Sequence, residues 1–185
     1  MTQENDDRAD AVVLDVDTVL LAMHRGRRGI ELTVQSDLPE AFERLREVAR
    51  HLVAVVDPPP LDTLEAAGRE TSVRLSTLKD HLGQAAGELI IVTCPHGEDG
   101  SCSCGRPHPD LIEHALTSHG LSARGSWLIT ADQEGVQAGR AAGLKTIRIG
   151  PLGGDHLSNV HRPDHEARDL LDAANQIMLD ALTPA

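Results

Sequence analysis

Short apolar runs alternate with longer amphipathic stretches along the chain, and that alternation predicts strands and helices in turn. The run from Ala11 to Asp17 reads as a buried strand ending in carboxylates. Residues 37–51 predict a helix, with Asp37 as N-cap, Pro39 in the first turn, and Leu38, Phe42, Leu45 and Val48 on one face. Leu52 to Val56 is a second strand, stopped by Asp57 and three prolines that cannot continue a ladder. Residues 61–87 are helical in pattern with a break near Gly68, and Glu88 to Thr93 is a third strand. A helix over 109–119, a strand over 126–130, a helix over 134–142 ended by Gly143, and a strand over 145–149 follow. Residues 151–163 read as loop and 165–182 as a last amphipathic helix.

Strands written as unbroken apolar runs and separated by helices are strands covered on both faces. The predicted fold is therefore α/β: a three-layer, Rossmann-like parallel sheet with helices on both sides and no large cap domain. Right-handed crossovers bring every strand's C-terminal end to one edge. The carboxylates that close the strands, Asp15 and Asp17, Asp57 and Asp132, gather there. With 185 residues the chain suits one such domain, expected over 11–185, behind a disordered polar lead of residues 1–10.

The composition narrows the chemistry. Seventeen basic residues stand against 29 acidic ones, a formal charge of −12, with no basic run. Neutralising phosphates of nucleic acid needs a basic patch, so a nucleic-acid partner is not expected. Phe42 and Trp127 are the aromatic residues, and there is no tyrosine, so stacking platforms cannot be built. The acidic first ten residues lack the features of a secretory signal, and no apolar run approaches the ~18–20 residues of a membrane span. The expectation is a cytoplasmic protein, a monomer or small homo-oligomer.

All three cysteines, Cys94, Cys102 and Cys104, fall within eleven residues together with His96. Three thiolates and an imidazole at that spacing form a closed tetrahedral set that fits a structural zinc, in a loop spanning about residues 94–107. Asp15 and Asp17, two apart at a strand end, suit nucleophilic attack with proton transfer, or a hard-oxygen magnesium site. Aspartates also end strands for turn chemistry alone. Arg106 follows the cysteine loop, where a guanidinium matches phosphate oxygens in a bidentate way. Asp132 suits a cation site after the fourth strand, and also the N-cap that the next helix needs. The loop from Leu21 to Val34 carries Arg25, Arg27 and Arg28 and is expected over the mouth of the site, where they would meet a second anionic group.

In this order the pieces resemble the haloacid dehalogenase-like phosphatases, in the branch of histidinol-phosphate and heptose-bisphosphate phosphatases. The likeness runs from about Ala11 to Gly150. Its most specific part is Cys94-Pro-His96, then Cys102-Ser-Cys104-Gly-Arg106-Pro-His-Pro109, which looks like that branch's zinc loop and the basic segment after it. The resemblance implies that Asp15 is the nucleophile forming an aspartyl-phosphate and Asp17 the general acid and base. It implies that Arg106, usually lysine in the family, holds the phosphoryl group. Magnesium is implied between Asp15, the main-chain carbonyl of Asp17 and a fourth-motif acid, here Asp132 by a one-residue slip, with Glu134 nearby. The substrate class implied is a small phosphorylated metabolite, a sugar phosphate or a histidinol-phosphate-like compound. The chain departs from the family at Thr18-Val19 in place of Gly-Thr, at Asp57 in place of a phosphate-binding Thr or Ser, at Gly105 in place of Arg, and at Thr130-Ala131 with Gly135 in place of Gly-Asp-x-x-x-Asp. These departures leave an alternative: a catalytically degenerate, zinc-stabilised domain that binds a ligand or partner.

Overall fold

The computed structural model describes residues 8–26, 29–34, 38–57, 64–87, 89–94, 104–150 and 162–182. Its centre is a six-stranded sheet in the order β5-β4-β1-β6-β7-β8, every neighbouring pair parallel. The strands are β1 (Ala9–Asp15), β4 (Ala49–Val56), β5 (Ile90–Thr93), β6 (Trp127–Thr130), β7 (Lys145–Ile149) and β8 (His165–Ala167). The chain leaves β1 for β4 and β5 on one side and returns to β6 on the other, so β1 sits at the reversal of strand order. Parallel sheets open a ligand crevice at such a point, beyond the strands' C-terminal ends.

Both sheet faces are covered, as the apolar runs predict. Along β1, Val12 and Leu14 join a core with Phe42 and Leu45 of α1 (Leu38–Val48), Leu78 of α2 (Leu64–Leu82) and Ile177 of α5 (Leu170–Leu182). Ala11 and Val13 point the other way, into a core with Ile112 of α3 (Asp110–Ser118) and Ala138 of α4 (Gln133–Ala141). Alternating side chains of one strand therefore enter two different cores, which is why the strand shows no polar alternation. Gly139 lets α4 approach the sheet closely, since a Cβ there would lie 2.6 Å from Leu128 Cδ2.

Several boundaries differ from those the sequence predicts. β1 begins at Ala9, inside the expected disordered lead, because Ala9 pairs with Ala49 and the Asp10 carboxylate accepts from the Ser122 N–H at 2.7 Å. The same pairing draws Ala49–His51 out of the predicted helix into β4. β1 stops at Asp15, and Val16–Leu20 forms a π-helical turn rather than more strand. The expected loop from Leu21 to Val34 is an antiparallel hairpin, β2 (Leu21–Gly26) with β3 (Gly29–Val34), its closing pair Gly26 with Gly29. The period-two pattern Ile-Glu-Leu-Thr-Val over 30–34 is the strand signal it carries. α2 runs unbroken through Gly68, where a Cβ would meet open space, so the break expected there is absent. His165–Ala167 extends the sheet edge as β8 instead of opening the last helix, which starts at Leu170 with Asp169 accepting from the Asp172 N–H at 2.7 Å.

Candidate active site at the C-terminal edge of the sheet

Four elements deliver carboxylates to the edge above β1. Asp15 is the last residue of β1 and is 3% exposed. Asp17 lies two residues on in the π-helical turn, Asp57 directly follows β4, and Asp132 is the N-cap of α4. The hydrophobic runs that bury β1, β4 and β6 end in step, so the residues that close them meet in space.

Asp15 Oδ2 is held by three donors: the Thr18 hydroxyl at 2.8 Å, the Thr130 hydroxyl at 2.9 Å and the Arg106 guanidinium at 2.7 Å. Its Oδ1 accepts the Asp17 N–H at 3.2 Å. Thr18 Oγ1 also accepts the Ala131 N–H at 3.0 Å, tying the turn after β1 to the end of β6. Burial pushes the Asp15 carboxyl up from 3.8 to about 6, against the opposing pull of Arg106 and the Thr18 hydroxyl.

Arg106 is the hub of the site. Besides Asp15 it bonds Asp57 through Nε and Asp132 through a terminal nitrogen. Burial alone would ease its deprotonation, but the carboxylates of Asp15, Asp57 and Asp132 outweigh it and keep the guanidinium firmly charged. Asp132 is the helix cap its position suggested, Oδ1 accepting the Gly135 N–H at 2.7 Å, while its Oδ2 meets Arg106. The Asp17 carboxyl is held by different partners. Its Oδ1 pairs with Arg74 at 2.6 Å and its Oδ2 accepts the Asp57 N–H at 3.1 Å. Burial raises the Asp17 carboxyl above its ordinary value, with Arg74 pulling the other way.

Asp15, Asp17, Arg106 and Asp132 are thus brought together as the sequence predicts. Asp57, which stands where the resemblance implies a phosphate-binding Thr or Ser, has its negative charge answered by Arg106. Glu134 lies in the first turn of α4. Arg74 was missed. It stands out only once the buried face of α2 is known: Arg74, Leu78 and Leu82 recur every fourth residue and all are buried, so an arginine occupies an apolar stripe. The zinc set is divided. Cys94, at the end of β5, and Cys104, partly buried against the α3 core, are described, whereas His96 and Cys102 lie outside the described residues, as do Arg27 and Arg28 of the hairpin. Among the described residues no group of three or more His, Cys, Asp or Glu is arranged to hold a metal ion, and Arg106 stands among the carboxylates of the edge.

No family model matches the chain. The D-glycero-beta-D-manno-heptose-1,7-bisphosphate 7-phosphatase of Pseudomonas putida is 30% identical over 90 residues, covering 49% of this chain and 48% of that protein. The enzyme of the same name from Pseudomonas aeruginosa is 27% identical over 73 residues, 39% of this chain and 41% of its own. The chain thus spans about half the length of the curated relatives it matches. Among solved structures, the D,D-heptose 1,7-bisphosphate phosphatase of B. bronchiseptica, complexed with magnesium and phosphate, superposes with a TM-score of 0.68 at 20% identity, over 92% of this chain and 99% of that one. In fold, and over part of its sequence, the chain resembles the haloacid dehalogenase-like superfamily. As in the expected fold of that superfamily, the parallel sheet carries helices on both faces and no large cap is inserted among the described residues. No helix among the described residues is long and apolar enough to cross a membrane.

Proposed function

We propose that the chain is a magnesium-dependent phosphomonoesterase that acts on a small phosphorylated metabolite through an aspartyl-phosphate on Asp15. The observation that carries this reading is the asymmetric handling of the Asp15 carboxylate. Three donors hold Oδ2, while Oδ1 keeps a single long bond from the Asp17 N–H. Oδ1 is the oxygen left to attack phosphorus, and Arg106, on Oδ2 of the same carboxylate, would meet the phosphoryl oxygens.

In the first step Asp15 Oδ1 forms a bond to phosphorus as the bond to the leaving oxygen breaks, and Asp17 gives that oxygen a proton. In the second, Asp17 takes a proton from water, whose oxygen attacks phosphorus, releases phosphate and restores the Asp15 carboxylate. Four carboxylates against the guanidiniums of Arg74 and Arg106 leave the site negative, which opposes the approach of a phosphate anion. Magnesium would be held by Asp15, Asp132 and the main-chain carbonyl of Asp17 once Arg106, which bonds Oδ2 of both carboxylates, turns to the phosphoryl group. When bound, the ion would offset the repulsion between nucleophile and substrate and spread the charge of the transferring group.

The same reading keeps a structural zinc on Cys94, His96, Cys102 and Cys104. Cys94 directly follows β5 and Cys104 stands two residues before Arg106, so a closed tetrahedral site there would anchor the segment that presents the guanidinium. The substrate class supported by the named activity of the curated relatives is a sugar phosphate, with a histidinol-phosphate-like ester as the second candidate. Phosphate release from a panel of such esters, with and without magnesium, tests the proposal. Magnesium-dependent release is expected; silence from folded, zinc-loaded protein would favour a degenerate domain that binds a ligand or partner.

A further inference from the structure

Arg74 is the buried charge that the chemistry just described does not use. It lies on α2 in line with Leu78 and Leu82, and is 3% exposed. The two leucines enter the core beneath the helix. A guanidinium in the same stripe loses its hydration, and a leucine at position 74 would simply extend the apolar face at lower cost. What the arginine gains is Asp17: the pair stands at 2.6 Å, with side chains 4% and 11% exposed.

The Asp17 carboxyl is fixed from two sides. Arg74 comes from α2, 57 residues along the chain, and holds Oδ1. The Asp57 N–H comes from the end of β4 and holds Oδ2. Neither contact belongs to the turn that carries Asp17, so the plane of the carboxyl is set by the packing of α2 and β4 against that turn. A carboxyl without the Arg74 contact would keep one tether and be able to rotate about its side-chain bonds.

We propose that Arg74 is a positioning residue that sets the orientation of the Asp17 carboxyl for proton transfer to the leaving oxygen. The inference rests on the phosphomonoesterase reading above. Its consequence is selective. An alkyl ester expels a strongly basic oxygen that must be protonated as the bond breaks, whereas an aryl ester such as p-nitrophenyl phosphate expels a stabilised anion that needs no proton. The orientation of Asp17 therefore matters for the first and little for the second. The quantity to compare is kcat/KM, which covers the steps through phosphoryl transfer to Asp15 and excludes the later hydrolysis.

The test measures kcat/KM for an alkyl phosphomonoester and for p-nitrophenyl phosphate, in wild type, Arg74→Met and Arg74→Lys. In Arg74→Met the alkyl value is expected to fall by about tenfold or more relative to the aryl value, a portion of what a general acid supplies. Arg74→Lys keeps the charge but not the planar fork, and its alkyl-to-aryl ratio is expected between the other two. Should Arg74→Met fail to fold, the lysine variant carries the test alone, with a ratio below wild type. Equal losses on both esters, or a ratio unchanged in a folded variant, would overturn the positioning role while leaving the phosphatase standing. Wild-type protein that releases phosphate from neither ester would overturn the phosphatase reading and this inference with it.

Discussion

A Cβ at Gly135 would lie 2.1 Å from the Thr130 hydroxyl oxygen, the same oxygen that donates to Asp15 Oδ2 at 2.9 Å. The first turn of α4 and the end of β6 therefore press together through a glycine, and the contact is passed to the buried carboxylate. A Gly135→Ala substitution must push Thr130 aside or tilt α4, at a cost of about 1–3 kcal/mol. Chemical denaturation is expected to show that loss, with turnover reduced as Thr130 leaves Asp15. Combining it with Thr130→Gly is expected to recover part of the stability but not the turnover, since the clash is relieved while the hydrogen bond stays absent.

The Asp15 carboxyl contributes a definite pH dependence to the metal-free protein. Its value in the fold, about 6, lies above the ordinary 3.8, so folding favours the protonated form. The associated stability is fully present below pH 3.8 and is lost as pH rises through 6, a swing of about 3 kcal/mol by linkage. Unfolding free energies in chelator, compared between wild type and Asp15→Asn, isolate it. The stability of Asp15→Asn relative to wild type is expected to be greater at pH 7 than at pH 4.

Arg106 answers three carboxylates from one side chain, and lysine cannot reproduce that. A single ammonium cannot take the place of Nε on Asp57 and a terminal nitrogen on Asp15 and Asp132 at once. Arg106→Lys is expected to lose about 1–3 kcal/mol of stability at pH 7, with the loss shrinking in acid as the carboxylates become protonated. A urea titration at both pH values checks this.

Much of this site was legible in the sequence because its residues end apolar runs. Asp15, Asp57 and Asp132 close or follow strands whose burial is unmistakable, and a parallel sheet must bring such ends to one edge. Arg74 was not, because its partner is 57 residues away and the arginine reveals itself only once the buried face of α2 is known. The hairpin over 21–34 and the edge strand β8 were read as loop and helix for a related reason. Strand β8 depends on pairing with a neighbour, His165 with Ile147, and the hairpin's period-two pattern is confined to 30–34, so neither carries a local signal along its whole length. The continuity of α2 through Gly68 shows the reverse error, a local helix penalty too small to break a helix held by its packing.

If zinc occupies the cysteine loop, purified protein is expected to carry about one zinc per chain, and strong chelation to lower its stability, because ligation free energy is then folding free energy. Elemental analysis and thermal melts with and without chelator measure both. Metal-free protein with an unchanged melt would remove zinc from the account.

Acid-quenched single turnover followed by peptide mass analysis tests most directly whether Asp15 is the nucleophile. A phosphoryl adduct is expected on the peptide containing Asp15 in wild type, and neither adduct nor phosphate release in folded Asp15→Asn. Phosphate release that persists undiminished in Asp15→Asn, with no adduct in wild type, would contradict that role.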